Sequence, residues 1–314
     1  MMQKTAFLFP GQGSQTVGMG QALAASSPQA RARLTMIDEA LGESLSSLMA
    51  DGPLDELTLT RNAQPALFAS SVAVLAALEA ASGKPVSALT DFVAGHSLGE
   101  YSALAAAGTL EIQDAAHLLR LRGDSMQKAV PVGAGAMAAL LGADLKLADA
   151  IVAESSDAGL VQIANDNAPG QIVVSGSLAG VEKAMAVAKE KGVRRALKLP
   201  VSAPFHCDLM APAAQEMAAA LATASMKDAA MPVICNISAL GETSASALRQ
   251  NLVAQVTGRV RWRETLLELH SKGVARFVEV GTGKVLSGLV KRTLEGVESY
   301  SLETYEDIES FLAT

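Results

Sequence analysis

The order of strand-like and helix-like segments is the feature that most limits the folds open to this chain of 314 residues. Residues 4–9 form a short apolar run that stops at the Pro-Gly-Gln-Gly of residues 10–13, which is typical of a buried strand entering a tight turn. A second strand-like run, 91–94, lies between helical patterns at 66–82 and 113–129. Strands that alternate with helices predict an α/β protein with a mainly parallel sheet covered on both faces.

Residues 133–202 replace this alternation with a self-contained order of segments. Strand-like and helix-like runs follow one another as β-α-β-β-α-β, and the Asn-Ala-Pro-Gly of residues 167–170 is a strong turn signal between the two middle strands. This order is the ferredoxin-like pattern. We therefore predict a small ferredoxin-like domain at 133–202, inserted into a larger domain made of 1–132 and 203–314. The predicted strands of the small domain are 135–142, 160–166, 171–176 and 194–201, and its predicted helices are 145–157 and 178–191.

The alternating pattern of the larger domain resumes after the insertion. Residues 208–224 and 246–272 have helical patterns, the second with a break near Gly258. Residues 232–238 and 276–281 are strand-like, and we predict the latter as the final strand.

The composition favours a globular protein and argues against nucleic-acid binding. Half of the residues are apolar and 18% are charged, which is enough apolar material for a substantial core. The formal net charge is −7, whereas nucleic-acid binders gain affinity from Lys and Arg that neutralise phosphates. We therefore expect no nucleic-acid partner.

The cysteines, the histidines and the apolar stretches give no sign of secretion, metal binding or membrane insertion. Cys207 and Cys235 lack the number and spacing of a disulfide framework, and the four histidines lack metal-ligand spacing. The N-terminal apolar run is too short for a signal peptide. The longest apolar-rich stretch, 66–81, is shorter than the roughly 20 residues of a membrane span. We expect a cytoplasmic protein with no membrane span and no metal.

A candidate nucleophile lies in the Gly-His-Ser-Leu-Gly of residues 95–99. This sequence fits G-x-S-x-G, and it falls between a predicted strand and a helix predicted to start near Glu100, where a nucleophile elbow belongs. The elbow would expose the hydroxyl of Ser97, and the N–H of Leu98 would point toward an oxyanion at the start of the helix. The motif alone leaves a simple strand-to-helix turn about equally favoured.

A serine nucleophile needs a base, and His206 is the histidine that we favour. It follows the Ser-Ala-Pro-Phe of residues 202–205, at the point where the chain re-enters the larger domain beside a predicted interdomain cleft. His96 adjoins Ser97, so its side chain should diverge from that of the serine and support the elbow. His117 and His270 lie inside helical patterns, which is typical of packed or surface histidines.

The glycine-rich turn of residues 10–13 offers a second oxyanion donor. The turn gives poor support for dinucleotide binding through a G-x-G-x-x-G motif, because the third position after Gly13 is Thr16 rather than glycine. We interpret the backbone amide of Gln12 as a partner of the Leu98 amide at the oxyanion. A plain glycine turn after a strand remains an alternative.

Three motifs in this order resemble the malonyl-CoA:acyl carrier protein transacylases of fatty-acid synthesis. They are Phe-Pro-Gly-Gln-Gly-Ser-Gln at 9–15, Gly-His-Ser-Leu-Gly-Glu at 95–100 and Val-Ser-Ala-Pro-Phe-His at 201–206. The resemblance extends over nearly the whole chain, because further matches lie at 121–123, 165–171, 260–262 and 280–284.

The resemblance implies a fold, a reaction and several roles. The fold is an α/β-hydrolase-like large domain with a ferredoxin-like insertion. The reaction is ping-pong: Ser97 takes the malonyl group from malonyl-CoA, with His206 as base, and the phosphopantetheine thiol of acyl carrier protein then accepts it. Gln12 and Leu98 form the oxyanion hole, and the backbone carbonyl of Gln255 orients the histidine in place of an acid. The protein itself needs no cofactor, and monomer is the usual state of the family.

Two further residues would select the acyl group. Malonyl bears a carboxylate that acetyl lacks, and a guanidinium pairs with a carboxylate through two hydrogen bonds. The resemblance places the substrate arginine at Arg122. From the residues alone a surface arginine is favoured there, because Arg120 is two residues away. Phe205 occupies a position where related polyketide acyltransferases that prefer malonyl carry Phe and methylmalonyl users usually carry Ser.

Several rival functions share these residues. A malonyltransferase of malonate decarboxylase and a freestanding acyltransferase of a polyketide synthase would use the same chemistry. A serine hydrolase could use the same elbow and histidine, although Arg122 and the lack of a clear acidic third residue favour transfer. A non-catalytic scaffold that binds carrier protein is disfavoured by the presence of both Ser97 and His206.

Overall fold

The computed structural model describes residues 3–314, which form two β-sheets with helices packed on their faces. The strands within this range are β1 (Lys4–Phe9), β2 (Phe92–Gly95), β3 (Gly135–Leu141), β4 (Val161–Ala168), β5 (Gln171–Ser177), β6 (Arg195–Lys198), β7 (Val233–Ile234), β8 (Gly241–Glu242), β9 (Val274–Val280) and β10 (Glu298–Leu302). The α-helices are α1 (Gln21–Ser26), α2 (Pro28–Leu41), α3 (Leu45–Asp51), α4 (Leu54–Thr58), α5 (Thr60–Ser82), α6 (Gly99–Ala106), α7 (Ile112–Lys128), α8 (Leu145–Ser155), α9 (Leu178–Glu190), α10 (Ala211–Thr223), α11 (Ala245–Thr257), α12 (Trp262–Ser271), α13 (Val285–Thr293) and α14 (Tyr305–Leu312).

The larger sheet has the strand order β10-β9-β1-β2-β7-β8 and is parallel except for β8, which pairs antiparallel with β7 at one edge. Its central strand β1 is apolar on both sides. Phe7 and Phe9 join one core cluster, while Ala6 and Leu8 join a second cluster on the other face. A strand that is buried on both faces is typical of a parallel sheet covered by helices. The prediction of a mixed α/β fold with a mainly parallel sheet is confirmed.

The smaller sheet is antiparallel and has the strand order β4-β5-β3-β6. Its elements follow one another as β3, α8, β4, β5, α9 and β6, which is the order predicted from the sequence. A separate apolar cluster fills the space between this sheet and its two helices. The last strand stops at Lys198 rather than at residue 201. Leu199 still donates to the carbonyl of Met137, but Pro200 has no N–H with which to extend the ladder.

Helix α5 starts at Thr60, six residues before the predicted start, and it continues through Pro65. A proline inside a helix cannot donate to the carbonyl four residues earlier, which here belongs to Arg61. The guanidinium of Arg120 compensates, because its Nη1 donates to the Arg61 carbonyl at 2.5 Å. The helix has the length and mean hydropathy, 1.5, of a membrane span, but 78% of its most apolar 18-residue window is buried inside the protein.

The end of the larger domain also departs from the sequence prediction. The strand predicted at 232–238 is only β7, because the chain turns back into β8 through Ala239, whose φ is 58°. Strand β9 is not the final strand, since β10 pairs with it in parallel. Strand β10 is mostly half-exposed and polar, so its sequence carries little of the apolar signal of a buried strand.

Candidate active site

Ser97 lies in a sharp turn between β2 and α6, at the carboxyl edge of the larger sheet. Its φ is 54°, which is a strained value for a residue other than glycine. The flanking glycines make the turn possible. A Cβ on Gly95 would lie 1.9 Å from the carbonyl of Gly99, and a Cβ on Gly99 would lie 2.3 Å from the carbonyl oxygen of Phe9. The turn therefore has the tight geometry that the G-x-S-x-G pattern predicts.

The backbone of Ser97 is held from both sides by buried amide side chains. Its N–H donates to Asn236 Oδ1 at 2.7 Å, and its carbonyl accepts from Gln255 Nε2 at 2.9 Å. The Asn236 side chain also donates to the carbonyl of Gly95 at 2.6 Å. These bonds bring residues from three distant parts of the chain together to fix the strained turn.

His206 lies against the hydroxyl of Ser97, with 2.7 Å between its Nε2 and the serine Oγ. The other ring nitrogen, Nδ1, is 2.9 Å from the carbonyl oxygen of Gln255 and 3.1 Å from that of Gly258. A carbonyl only accepts, so Nδ1 carries the proton and Nε2 offers its lone pair to the Ser97 hydroxyl. This is the tautomer that a general base requires.

The carbonyls that face Nδ1 belong to the C-terminal end of α11. Carbonyls in the last turn of a helix lack donors from the helix itself and carry its negative dipole end. They therefore stabilise positive charge on the imidazole of His206 as an acidic side chain would. Burial, with the Arg122 guanidinium beside it, lowers the pKa of His206 to about 3, so the ring is neutral at rest.

Arg122 is buried on α7, with 1% of its surface exposed. The preference for a surface arginine, drawn from the residues alone, is therefore wrong. Its Nη1 donates to Gln64 Oε1 at 2.7 Å, and its Nη2 reaches Gln255 Oε1 at 2.8 Å and Ser97 Oγ at 3.2 Å. The guanidinium thus lies directly beside the candidate nucleophile. Arg120 faces away from it and pairs with Glu43 at 2.5 Å.

Gln12 and Leu98 follow the ends of the neighbouring strands β1 and β2, and both line the cavity that contains Ser97. Their backbone N–H groups have no acceptor within residues 3–314. Free amides at this position are suited to binding an anionic oxygen. The side chain of Gln12 is fixed separately, because its Oε1 accepts from Thr60 Oγ1 at 3.1 Å.

The other histidines occupy the positions predicted for them. His96 is a half-buried neighbour of the elbow, with its Nε2 2.8 Å from Asn167 Oδ1 and its ring edge-on to Trp262 at 5.4 Å. His117 and His270 are exposed on helices. Within residues 3–314 no three His, Cys, Asp or Glu side chains form a group that could hold a metal ion.

The cavity has a volume of about 400 Å³ and lies between the two sheets. Phe205, 8% exposed, forms part of its wall beside His206. Its lining combines polar side chains, among them those of Ser97, Arg122 and His206, with apolar ones. Its other lining residues include Gln15, Met126, Met137, Asn165, Val173, Leu199 and Val201.

Three buried polar residues of this region escaped the sequence analysis. Gln64 and Asn236 contact the site residues directly, and Glu100 lies behind them with 1% of its surface exposed. Burial raises the pKa of the Glu100 carboxyl to about 7. A carboxylate in the apolar Tyr-Ser-Ala-Leu-Ala-Ala context of α6 was the one available signal, since such residues are seldom buried without a partner.

Comparisons with known proteins agree on one family. An acyl transferase domain matches residues 6–306. A malonyl CoA-acyl carrier protein transacylase of Bacillus subtilis is 47% identical over 314 residues, which cover 100% of this chain and 98% of the relative. The protein of the same name from Escherichia coli K12 is 43% identical over 305 residues, which cover 96% of each chain.

Solved structures give the same result. An acyl-carrier-protein-S-malonyltransferase from Bartonella henselae superposes with a TM-score of 0.97 at 50% identity, over 99% of this chain and 98% of that one. A second match is to a structure of a type II PKS acyl-carrier protein in complex with its malonyl-transacylase. The matched chain of that complex superposes with a TM-score of 0.95 at 39% identity, over 99% of each chain.

Proposed function

The chain belongs to the acyl transferase family, and we propose that it moves the malonyl group of malonyl-CoA to the phosphopantetheine thiol of acyl carrier protein in fatty-acid biosynthesis. The relatives and the carrier-protein complex support this reaction and this partner. The observation that carries the proposal is the arrangement of Ser97, His206 and Arg122: the Ser97 hydroxyl contacts both other side chains, and all three residues line one cavity.

In the first half-reaction Ser97 becomes acylated. His206 Nε2 takes the proton of the Ser97 hydroxyl as Oγ attacks the thioester carbonyl, and the α11 carbonyls stabilise the imidazolium. The oxygen of the tetrahedral intermediate gains negative charge and accepts hydrogen bonds from the N–H groups of Gln12 and Leu98. The carbon–sulfur bond then breaks, CoA leaves as a thiolate, and the thiolate takes the proton from His206. The product is a malonyl ester of Ser97.

The second half-reaction reverses these roles with a different thiol. The phosphopantetheine thiol of the carrier protein gives its proton to His206 and attacks the ester carbonyl. The same two amides hold the oxyanion, and Ser97 Oγ leaves with the proton that His206 returns. The protein supplies every proton transfer from its own residues, so we propose that no resident cofactor takes part.

Arg122 and Phe205 define the acyl group in this proposal. Within residues 3–314, Nη1 uses one of its two N–H groups, on Gln64, and one Nη2 N–H makes only a longer contact of 3.2 Å with Ser97 Oγ, so these two N–H groups can bind a carboxylate. Malonyl places a carboxylate two carbons from the reacting carbonyl, within the reach of a guanidinium that already contacts the Ser97 Oγ. Phe205 forms a bulky wall beside His206 and would oppose a branched acyl group.

We also propose the types and bounds of the two domains, the cellular location of the protein and its oligomeric state. The strand order β4-β5-β3-β6 with two helices on one face supports a ferredoxin-like domain at 133–202. The elbow after a parallel strand supports an α/β-hydrolase-like domain at 1–132 and 203–314. A cytoplasmic monomer that acts on soluble substrates agrees with these proposals.

The test is the intact mass of the protein after mixing with malonyl-CoA, followed by addition of phosphopantetheinylated carrier protein. We expect a malonyl adduct on the wild type, none on Ser97→Ala, and transfer of the adduct to the carrier. Ser102→Ala is a matched control, because this buried serine lies on α6, five residues after Ser97. An adduct that is lost to water with the carrier unlabelled would indicate a hydrolase instead. If no adduct forms, Ser97 is not the nucleophile.

A further inference from the structure

A buried carboxylate, that of Glu100, lies behind the nucleophile and contacts neither Ser97 Oγ nor the cavity lining. Its Oε2 accepts from the backbone N–H of Asn236 at 3.0 Å and from Gln255 Nε2 at 2.8 Å. Its Oε1 is buried and has no hydrogen-bond partner within residues 3–314. Burying a charge is costly unless other groups compensate, so this carboxylate calls for a physical explanation.

The two partners of Glu100 are the residues that hold the reacting groups. Asn236 accepts the N–H of Ser97, and Gln255 donates to its carbonyl. The backbone carbonyl of Gln255 also orients His206. One carboxylate therefore anchors the groups that fix both the nucleophile and its base.

Glu100 is also linked to the positive charge of Arg122. Within residues 3–314 the Arg122 guanidinium has no carboxylate within ion-pair distance, although it is buried. The side-chain amide of Gln255 lies between the two charges. Its Oε1 accepts from Arg122, and its Nε2 donates to Glu100. Glu100 is thus a negative charge that balances the positive charge of Arg122 across the side-chain amide of Gln255.

We propose that Glu100 is a positioning residue for Ser97 and His206 and, at the same time, the resident counter-charge of Arg122 that sets how strongly the site prefers a carboxylated acyl group. This inference rests on the proposed function. Without an acyl group, Glu100 offsets the buried guanidinium. When malonyl binds, its carboxylate pairs directly with Arg122, and the nearby negative charge of Glu100 weakens that attraction. Acetyl has no carboxylate and is not affected in this way.

The test compares acylation of Ser97 by malonyl-CoA and by acetyl-CoA in wild type and Glu100→Gln at pH 8.5, where a carboxyl with a pKa of about 7 is ionised. We expect the rates with both substrates to fall, because a glutamine replaces a charged acceptor with a neutral one. The ratio of malonyl to acetyl kcat/KM should rise on the order of tenfold or more, since the negative charge of Glu100 no longer opposes the substrate carboxylate. Glu100→Asp keeps the charge, so its rates should fall with the ratio within about twofold of wild type.

A double-mutant cycle shows whether the effect passes through the guanidinium. In the Arg122→Met background no guanidinium holds the malonyl carboxylate near Glu100, so Glu100→Gln should change the malonyl-to-acetyl ratio far less than in the wild-type background. A ratio that does not rise in folded Glu100→Gln, or that rises equally without Arg122, would overturn the inference. A purely structural role of Glu100 would lower both rates and leave the ratio where it is.

If Glu100→Gln alone does not fold, the stability of the double variant Glu100→Gln with Arg122→Met is measured instead. This double variant has no unpaired buried charge in the pair and should therefore fold. Its failure to fold, with Arg122→Met alone folded, would contradict the charge pairing. The two proposals fail separately. No malonyl adduct on wild-type Ser97 refutes the proposed function, whereas a normal adduct with an unchanged ratio in Glu100→Gln refutes only the role of Glu100.

Discussion

Replacing Arg122 by methionine is the perturbation whose size follows most directly from the structure. Methionine keeps much of the length of the side chain and fills the buried space, but it offers no N–H group. One Nη1 N–H and the Nη2 N–H that contacts Ser97 Oγ at 3.2 Å can bind the substrate carboxylate. Hydrogen bonds to charged groups contribute about 1.5–3 kcal/mol each, so their loss costs about 3–6 kcal/mol. Malonyl kcat/KM should therefore fall roughly 10²- to 10⁴-fold.

The assay is competition between malonyl-CoA and acetyl-CoA for Ser97, followed by intact mass. Acetyl transfer should change far less than malonyl transfer, so the preference should collapse. Arg120→Met is the matched control on the same helix, because Arg120 binds Glu43 and the Arg61 carbonyl outside the cavity. It should leave the preference unchanged. If Arg122→Met keeps the wild-type preference within about threefold, Arg122 does not bind the malonyl carboxylate.

The remaining predictions concern the wall of the cavity and the charge of the histidine. Phe205→Ser should open space beside His206 and raise the ratio of methylmalonyl to malonyl acylation; an unchanged ratio would count against a steric role for Phe205. The pKa of His206 is lowered to about 3 in the folded protein, below the unfolded value near 6.5. The unfolded state therefore takes up the proton first, and the free energy of unfolding falls as pH falls from about 6.5 towards 3. Between pH 6.5 and 4.5, urea unfolding should show that the free energy of unfolding of His206→Gln falls by about 2–3 kcal/mol less than that of wild type, while His96 is present in both proteins. Equal losses would show that His206 is not held neutral.

The sequence was sufficient for the parts of the fold that have strong local signals. Strand β1 and the order of elements in the smaller sheet were predicted correctly, because their apolar runs and turn residues lie close together in the chain. Helices α1 to α4 were not predicted. Helices α1, α3 and α4 have only five to seven residues, and α2, with 14 residues, is mostly exposed or half-exposed and so carries a weak apolar signal. The start of α5 was missed for a different reason. Its first turn is stabilised by Arg120, which lies 59 residues from the Arg61 carbonyl that it binds.

The same distinction holds for the site. Ser97 could be identified from its two flanking glycines, and His206 from its place where the chain re-enters the larger domain. Residues without a local motif could not be found in this way. The side chains of Asn236 and Gln255 bind Ser97 across 139 and 158 positions of sequence, and no pattern near either residue indicates that contact; for Gln255 the family resemblance implied only the role of its backbone carbonyl. The burial of Arg122 likewise depends on Gln64 and Gln255, 58 and 133 positions away.

The orientation of His206 by carbonyls of α11 has a consequence for how this protein can change. A third residue that acts through its side chain can be removed by one codon change, but every amino acid has a backbone carbonyl. Substitutions at position 255 therefore leave the acceptor of Nδ1 in place. An insertion or deletion of one residue within α11 would rotate its last turn by about 100° and turn that carbonyl away. The carbonyl that orients His206 therefore depends on the length of this helix, whereas the contacts of the Gln255 side chain with Ser97, Arg122 and Glu100 depend on the residue itself.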